Sequence, residues 1–447
     1  MKREQKELLQ QLAAKHGTPL FVVDHEVIRQ NYREFTEKLP DVQLYFAIKS
    51  NSNPEILKTM YDLGSGFDVA SIQEFRMVQK NIKNLPERKR QDFVWERMIY
   101  ANTIKPADDM KKLSRMMVTF DNIEELKKIK AANPKLGLIL RLRVPNTGSM
   151  VELSSKFGVD PGEAVNLMIE GIKLGLEIGG ISFHVGSQCN NFENYIAAFN
   201  LASSVFKEAK LRGLDIGFNY KDGRKVKVLD IGGGFPVKYT SEDKSFASLG
   251  RKLNSELKRL FGKEENLKII AEPGRFMVAT ACSLVTKIIG KSVRDEKTCY
   301  YLDDGVYHTF SGQVYDHQHY PLHSFKEGEK KVVSTFGPTC DAFDTISLAD
   351  ELPEDLQIDD LLYAENIGAY TFASATYFNG FRPPKVVHIN KEPIIEVPKT
   401  EEAVKVNGNG HKEPEKKPAP STEKETEKVV AKTQAIETKQ PVATKTK

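Results

Sequence analysis

The sequence predicts an α/β protein built as a TIM-like (β/α)8 barrel, followed by a smaller, mainly antiparallel β domain of sandwich or barrel type. Three observations carry that expectation. Between residues 20 and 270, short β-branched runs alternate with stretches of 3.6-residue periodicity. The runs number eight, which favours a closed parallel barrel over an open doubly wound sheet. Beyond residue 275 the alternation fades, and strand patterns follow one another without helices between them.

The expected barrel strands are residues 44–48, 67–68, 98–100, 117–119, 138–142, 180–183, 226–231 and 267–270. Helical periodicity fills most intervals, as at 123–132 and 161–174. One interval departs from this pattern: residues 84–96 form a charged, Arg-rich insertion before the third strand, read as a loop or short helical excursion. Strands of the second domain fall at 281–289, 297–302, 331–335, 361–363 and 385–388. The resulting division is an N-terminal segment (1–24) that joins the β domain, the barrel (25–274), the β domain (275–395) and a tail (396–447). From Thr400 to Lys447 there is no aromatic residue, and Lys, Glu, Thr, Pro and Ala dominate. Such a segment buries too little apolar surface to offset its ordering entropy, so disorder is expected.

Composition narrows the function classes. A chain of 447 residues can build a large core in two domains. The formal charge of +4 is small and evenly spread, which argues against nucleic-acid or membrane binding. No run approaches the roughly 18 apolar residues that span a bilayer. Residues 1–11 are charged and lack the apolar centre of a signal peptide. Cysteines 189, 282, 299 and 340 show no C-x-x-C spacing, so reduced thiols in a cytoplasmic protein are expected, with no metal site.

Every chemically suggestive segment of the barrel sits at the end of an expected strand, where barrel enzymes keep their chemistry. Lys49 ends the apolar run Tyr45-Phe46-Ala47-Ile48. A desolvated amine loses its proton readily and can then condense with an aldehyde. Taken alone, a strand-end lysine is more often a surface group. Asp68 follows Gly66-Phe67, and Arg141 ends the run at 138–140. His184-Val185-Gly186-Ser187, Gly232-Gly233-Gly234-Phe235-Pro236 and Glu272-Pro273-Gly274-Arg275 each follow a strand. Neither Gly64-Ser65-Gly66 nor the triple glycine completes G-x-G-x-x-G before a helix, which removes a dinucleotide site. A glycine-rich turn can still cradle one phosphate, with Arg275 as a charged fork. Beside such a clamp, the Glu272 carboxylate suits a protonated ring nitrogen. His184 alone reads as a core histidine and Glu272 alone as a solvated acid; convergence on one barrel mouth changes both readings.

In this order, A-I-K-S-N around Lys49, G-F-D-V-A-S, H-V-G-S, G-G-G-F-P and E-P-G-R resemble the barrel of the group IV, alanine-racemase-fold pyridoxal-phosphate decarboxylases. Asp303-Asp304-Gly305-Val306-Tyr307, Tyr315-Asp316-His317, Gly337-Pro338-Thr339-Cys340-Asp341, Glu365-Asn366-Ile367-Gly368-Ala369-Tyr370-Thr371 and Phe378-Asn379-Gly380-Phe381 extend the likeness to the ornithine decarboxylase branch. It covers roughly residues 15–390 and leaves out the tail. The resemblance implies pyridoxal 5'-phosphate as cofactor and decarboxylation of a basic L-amino acid. L-Ornithine, giving putrescine and CO2, comes first; L-lysine and diaminopimelate are the alternatives.

Residue roles follow from the same resemblance. Lys49 would carry the cofactor, Glu272 would meet its pyridine nitrogen, and His184 would cover its ring. Ser187, Gly234, Gly274, Arg275 and Tyr370 would surround the phosphate, with Asp68, Arg141 and Glu74 supporting lysine and ring. Cys340 would return a proton to the decarboxylated carbon. Asp316 and Asp341 would face a distal ammonium, beside Tyr315, Tyr307 and Phe378. Because Cys340 and Asp341 come from a second copy in this family, a homodimer with shared sites is implied. Lys156 and Asp344 resemble its cross-dimer ion pair. Diaminopimelate enzymes usually carry Cys-Glu-Ser where this chain has Cys340-Asp341-Ala342. Ser50, where cysteine or alanine is common, the insertion and the tail depart from the pattern without removing a catalytic group. A non-catalytic regulatory homologue would lose Lys49 or the phosphate ligands, and a racemase would need a tyrosine acid/base.

Overall fold

The computed structural model describes residues 1–392 apart from 152–153, 221 and 240–242. The tail at 396–447, expected to be disordered, lies outside the described residues. Eight parallel strands form the barrel: Val42–Ala47, Gly66–Val69, Met98–Tyr100, Met117–Phe120, Gly137–Arg141, Glu177–Ser182, Lys225–Asp230 and Leu267–Ala271. Each pairs with the next, and the eighth closes on the first through Ile270 opposite Gln43. Strands buried on both faces read as near-continuous apolar runs. One set of side chains (Tyr45, Ile99, Met117, Ile139, Val228 and Ile270) clusters with Phe218, while Phe46, Phe67, Val118, Leu138 and Leu229 join the large core that includes the helices.

The insertion at 84–96 is an ordered α-helix, Glu87–Arg97, at the N-terminal end of the barrel. Its Trp95, the one tryptophan of the chain, meets Phe218 edge-on with ring centroids 5.0 Å apart. The Arg115 guanidinium lies 3.9 Å from the indole centroid on a cation–π contact. Glycines make room for this plug. A Cβ on Gly179 would lie 2.0 Å from the Phe218 ring, and one on Gly137 would lie 2.8 Å from Trp95. The helix therefore covers the end of the barrel opposite the strand-end motifs.

In the second domain, Cys282–Arg294, Lys297–Leu302, Leu322–Ser324, Lys330–Phe336, Thr345–Pro353 and Leu361–Ala364 pair mainly antiparallel, with Lys297–Leu302 parallel to Lys330–Phe336. Leu20–Asp24 adds to the same sheet, antiparallel to Cys282–Arg294 and parallel to Lys385–Ile389. Three of these strands (20–24, 322–324 and 345–353) escaped the sequence reading. The 345–353 strand exposes Leu348 and Ala349, buries Asp350 and has two register shifts against its neighbour, which break the period-2 pattern. No helix among the described residues is long and apolar enough to cross a membrane.

Barrel and β domain meet at a buried histidine. His25, at the start of the helix His25–Lys38, lies 2.6 Å from Thr59 Oγ1 through Nδ1 and 2.9 Å from His388 Nδ1 through Nε2. His388 belongs to the last strand, and Arg29 donates to the carbonyls of Asn390, Lys391 and Glu392 just beyond it. Burial, then His388 and Arg29, with Lys391 adding and Glu55 opposing, push His25 down from 6.5 to about 4. The unfolded chain therefore binds this proton first as pH falls. Stability from neutral His25 is whole above pH 6.5 and is lost as pH drops toward 4. The full effect is about 3 kcal/mol. Urea unfolding between pH 7 and 4 checks this: His25→Asn is expected to flatten the acid-side loss, and an unchanged slope would contradict it.

Candidate active site

The C-terminal ends of the barrel strands build one cavity of about 230 Å³. Lys49 does not end a strand, as the sequence suggested. The first strand stops at Ala47, and Ile48–Ser50 make a single 3-10 turn. The turn forms because the Ala47 amide donates sideways to Pro273 O at 3.2 Å and the Ser50 hydroxyl folds back onto Ala47 O at 2.8 Å. This turn aims the Lys49 amine across the mouth at Asp68 Oδ2, 2.5 Å away on the neighbouring strand. Asp68 is buried and the lysine side chain is 38% exposed, so the amine stands at the border between wall and opening. Burial works against its charge, but Asp68, then Glu272 and Tyr370, outweigh that and hold the ammonium above the ordinary lysine range. Glu74 lies behind them as a helix cap, accepting from the Ala70 amide at 2.6 Å while its own amide donates to Ser71 Oγ at 3.2 Å.

Glycine turns form the floor. Gly234 adopts φ +92°, and a Cβ there would lie 2.2 Å from Gly186 O; on Gly274 it would meet Ser50 at 2.9 Å. Only glycine leaves backbone open at both places. Arg275, nearly fully buried, donates to Ser187 Oγ at 2.9 Å and to Tyr239 Oη at 3.1 Å. Its Nη2 also pairs with Asp316 Oδ2. Residues assigned to two different ligands thus meet in one ion pair. Tyr370 arrives from the β domain in a left-handed conformation (φ 57°), tied by its amide to Ser50 O at 2.9 Å, with Arg275 5.1 Å from its ring centroid. Tyr315 also lines the cavity.

Two carboxyls and a histidine complete the wall. Glu272 Oε1 is buried without a partner other than the neighbouring Asp230 carboxyl. Burial, then Asp230 and Asp68, push Glu272 well above the usual carboxyl range, against the pull of Lys49. His184 accepts the Gly186 amide on Nδ1 at 3.1 Å. Burial, then Arg141 and Lys49, keep its imidazole neutral. Arg141 itself stays off the cavity wall, with its guanidinium 5.3 Å from the Phe157 centroid.

The remaining candidates gather elsewhere. Tyr307 Oη donates to Asp341 Oδ2 at 2.6 Å and stacks on Phe378 with centroids 4.3 Å apart. Cys340 is exposed beside them, its amide donating to Asn379 Oδ1 at 3.1 Å. None of the four lines the cavity of its own chain. Asp344 is not a free surface charge: it is buried and accepts the amides of Val306 at 2.7 Å and Thr339 at 3.0 Å. Lys156 lies over Phe157, 5.0 Å from the ring centroid. Tyr239, Gln188, Val151, Phe235 and Asp230 were missed by sequence reasoning. Gln188, just after H-V-G-S, has φ 49° and clamps the Val237 backbone with its side-chain amide, Nε2 donating to Val237 O at 2.7 Å and Oε1 accepting Val237 N at 3.0 Å. The motif boundary was the one available signal for it.

The residues present fit pyridoxal phosphate. Glycine turns, Ser187 and Arg275 give a phosphate cradle, Glu272 brings a carboxyl to the cavity wall for a ring donor, and Lys49 offers the amine. A family model described as pyridoxal-dependent decarboxylase, pyridoxal binding domain, matches residues 25–279. The lysine/ornithine decarboxylase of Selenomonas ruminantium is 36% identical over 386 residues, covering 86% of this chain and 92% of that protein. Antizyme inhibitor 2 of Xenopus laevis is also 36% identical, over 82% of this chain and 80% of its own. Among solved structures, the lysine/ornithine decarboxylase of Vibrio vulnificus complexed with putrescine superposes with a TM-score of 0.77 at 33% identity, covering 88% of this chain and 100% of that one. Barrel, cavity and relatives agree: the chain belongs to the pyridoxal-dependent decarboxylases and is a pyridoxal-phosphate enzyme of the kind that decarboxylates basic amino acids.

Proposed function

We propose that the chain converts L-ornithine to putrescine and CO2, with L-lysine as a weaker second substrate, in homodimers whose sites are shared. The observation that carries the substrate reading is Asp316, a buried carboxylate in the cavity wall beside the residues of the phosphate cradle. A diamino acid brings a second ammonium, and a carboxylate in a dry pocket binds it strongly. The exposed Cys340-Asp341-Tyr307-Phe378 group supports the shared site. Phe343, its ring centroid 6.2 Å from that of Tyr307, and Tyr377, next to Phe378, are likewise exposed at 57% and 71%, aromatic surface that a second copy would cover.

Pyridoxal phosphate, when bound, supplies an electron sink for the charge left by departing CO2. The chain supplies the rest. Lys49 holds and releases the group, with Asp68 orienting the amine. Gly234, Gly274, Ser187, Arg275 and Tyr370 hold the phosphate, and the neutral His184 covers the ring. Glu272 keeps the ring nitrogen protonated. Asp316, together with Asp341 of a second copy, takes the distal ammonium. Cys340 of that copy delivers a proton to the substrate carbon. Similarity to an antizyme inhibitor raises a non-catalytic reading, which the presence of Lys49, Glu272, Arg275 and Cys340 in one chain opposes.

CO2 release from L-ornithine, L-lysine, L-arginine and meso-diaminopimelate tests the substrate. Ornithine is expected to lead, with lysine behind by the roughly 10–200-fold that one methylene allows. Release from none with cofactor bound, or from diaminopimelate alone, overturns the reading. Mixing inactive Lys49→Ala and Cys340→Ala proteins should restore about a quarter of normal site activity through hybrid dimers. No recovery, with exchange shown by a tagged subunit, contradicts shared sites.

A further inference from the structure

Asp230 closes the seventh barrel strand, fully buried, and has no role in the chemistry above. Its Oδ1 accepts the Gly232 amide at 2.9 Å, the first amide of the triple-glycine turn. Its Oδ2 is buried with no partner except the Glu272 carboxyl, and Glu272 Oε1 is in the same condition. The backbone keeps the two side by side. Ile231 N donates to Ile270 O at 2.9 Å and Glu272 N to Gly232 O at 2.7 Å, which joins the two strand ends. Between them Gly233 has no room for a side chain: a Cβ would lie 2.7 Å from Glu272 O and 2.9 Å from His184 Nε2. The pair cannot drift apart without moving both strands.

Two carboxyl groups side by side in a dry wall, with no cation between them, cannot both be ionised, so one proton lies with the pair. Burial raises Asp230 to about 7, with Asp68 adding and Arg141 opposing, and Glu272 is raised further. The other charged or titratable groups facing the pair are Lys49 and Tyr45, with His184 Nε2 close by at Gly233.

We propose that Asp230 is a positioning residue acting through Glu272: the pair shares one proton, which a protonated ring nitrogen displaces on binding. This rests on the reading of Glu272 as the partner of that nitrogen. If the ring arrives neutral, the proton moves from the pair to the nitrogen; if it arrives protonated, the pair's proton leaves to water. In both cases two anionic carboxylates then back one ring cation. Asp230 thereby strengthens the hold on the protonated ring without touching it.

The test compares binding of pyridoxal phosphate and its 1-deaza analogue, in which CH replaces the ring nitrogen, to cofactor-free full chain and its Asp230→Asn variant. Wild type should prefer the nitrogen-containing ring, and Asp230→Asn should lose about tenfold of that preference while binding the analogue as before. Equal weakening toward both ligands would mark a structural role and overturn the proposal. Equal wild-type affinity for the two would overturn the Glu272 reading itself; a preference that survives Asp230→Asn overturns only the role of Asp230. If the variant does not fold, infrared difference spectra of wild type decide. A carboxylic-acid band should vanish on adding pyridoxal phosphate and persist with the analogue, and persistence with both overturns the proposal.

Discussion

A charge buried without a counter-charge costs several kcal/mol, and the barrel mouth is organised around that constraint. Lys49 meets Asp68, Arg275 meets Asp316, and Asp230 and Glu272 lie together. Each pair joins residues from different strand ends or different domains, so the charges are balanced only when the whole barrel is closed. Neutral His184 fits the same balance, because Arg141 and Lys49 already bring positive charge to its side of the wall. The Arg275–Asp316 pair has a further consequence. A phosphate held by Arg275 would have to share the guanidinium with Asp316, so the proposed anion site and the carboxylate proposed for a cationic substrate would be electrostatically linked.

The β domain completes the cavity. Tyr315, Asp316 and Tyr370 come from it, and Asn51 Nδ2 donates to Gly368 O at 3.0 Å where the two parts meet. The Tyr370 amide bonded to Ser50 places an aromatic wall directly behind the turn that carries Lys49. His25, Arg29 and the last strand hold the same junction from the far side. The site is therefore a property of the joint, which explains why its lining runs to Tyr370 while the barrel ends near 271.

Much of this was legible in the sequence for a physical reason. Parallel strands buried on both faces leave apolar runs, and all eight barrel strands were found within a few residues of their ends. Strand-end glycine and charge motifs then marked the mouth. What stayed hidden is tertiary or sterically local. The 3-10 turn at Ile48–Ser50 depends on Pro273 O, more than two hundred residues away in sequence. The pairing of Arg275 with Asp316 crosses a domain boundary, and Asp230 reads as the ordinary end of a strand until its neighbour is known. The helix Glu87–Arg97 read only as a loop or short helical excursion because its role, packing Trp95 under the barrel, needs Phe218 and Arg115 from distant segments.

The central claim is that one amine, on the turn after the first barrel strand, holds the cofactor among these paired charges. Incubating the protein with pyridoxal phosphate, reducing with borohydride and mapping the peptides by mass spectrometry tests it most directly. A single modified peptide carrying Lys49 is the predicted result. Modification centred instead on Lys268 at the opposite end of the barrel, on buried Lys105, or on no one lysine in preference would contradict it.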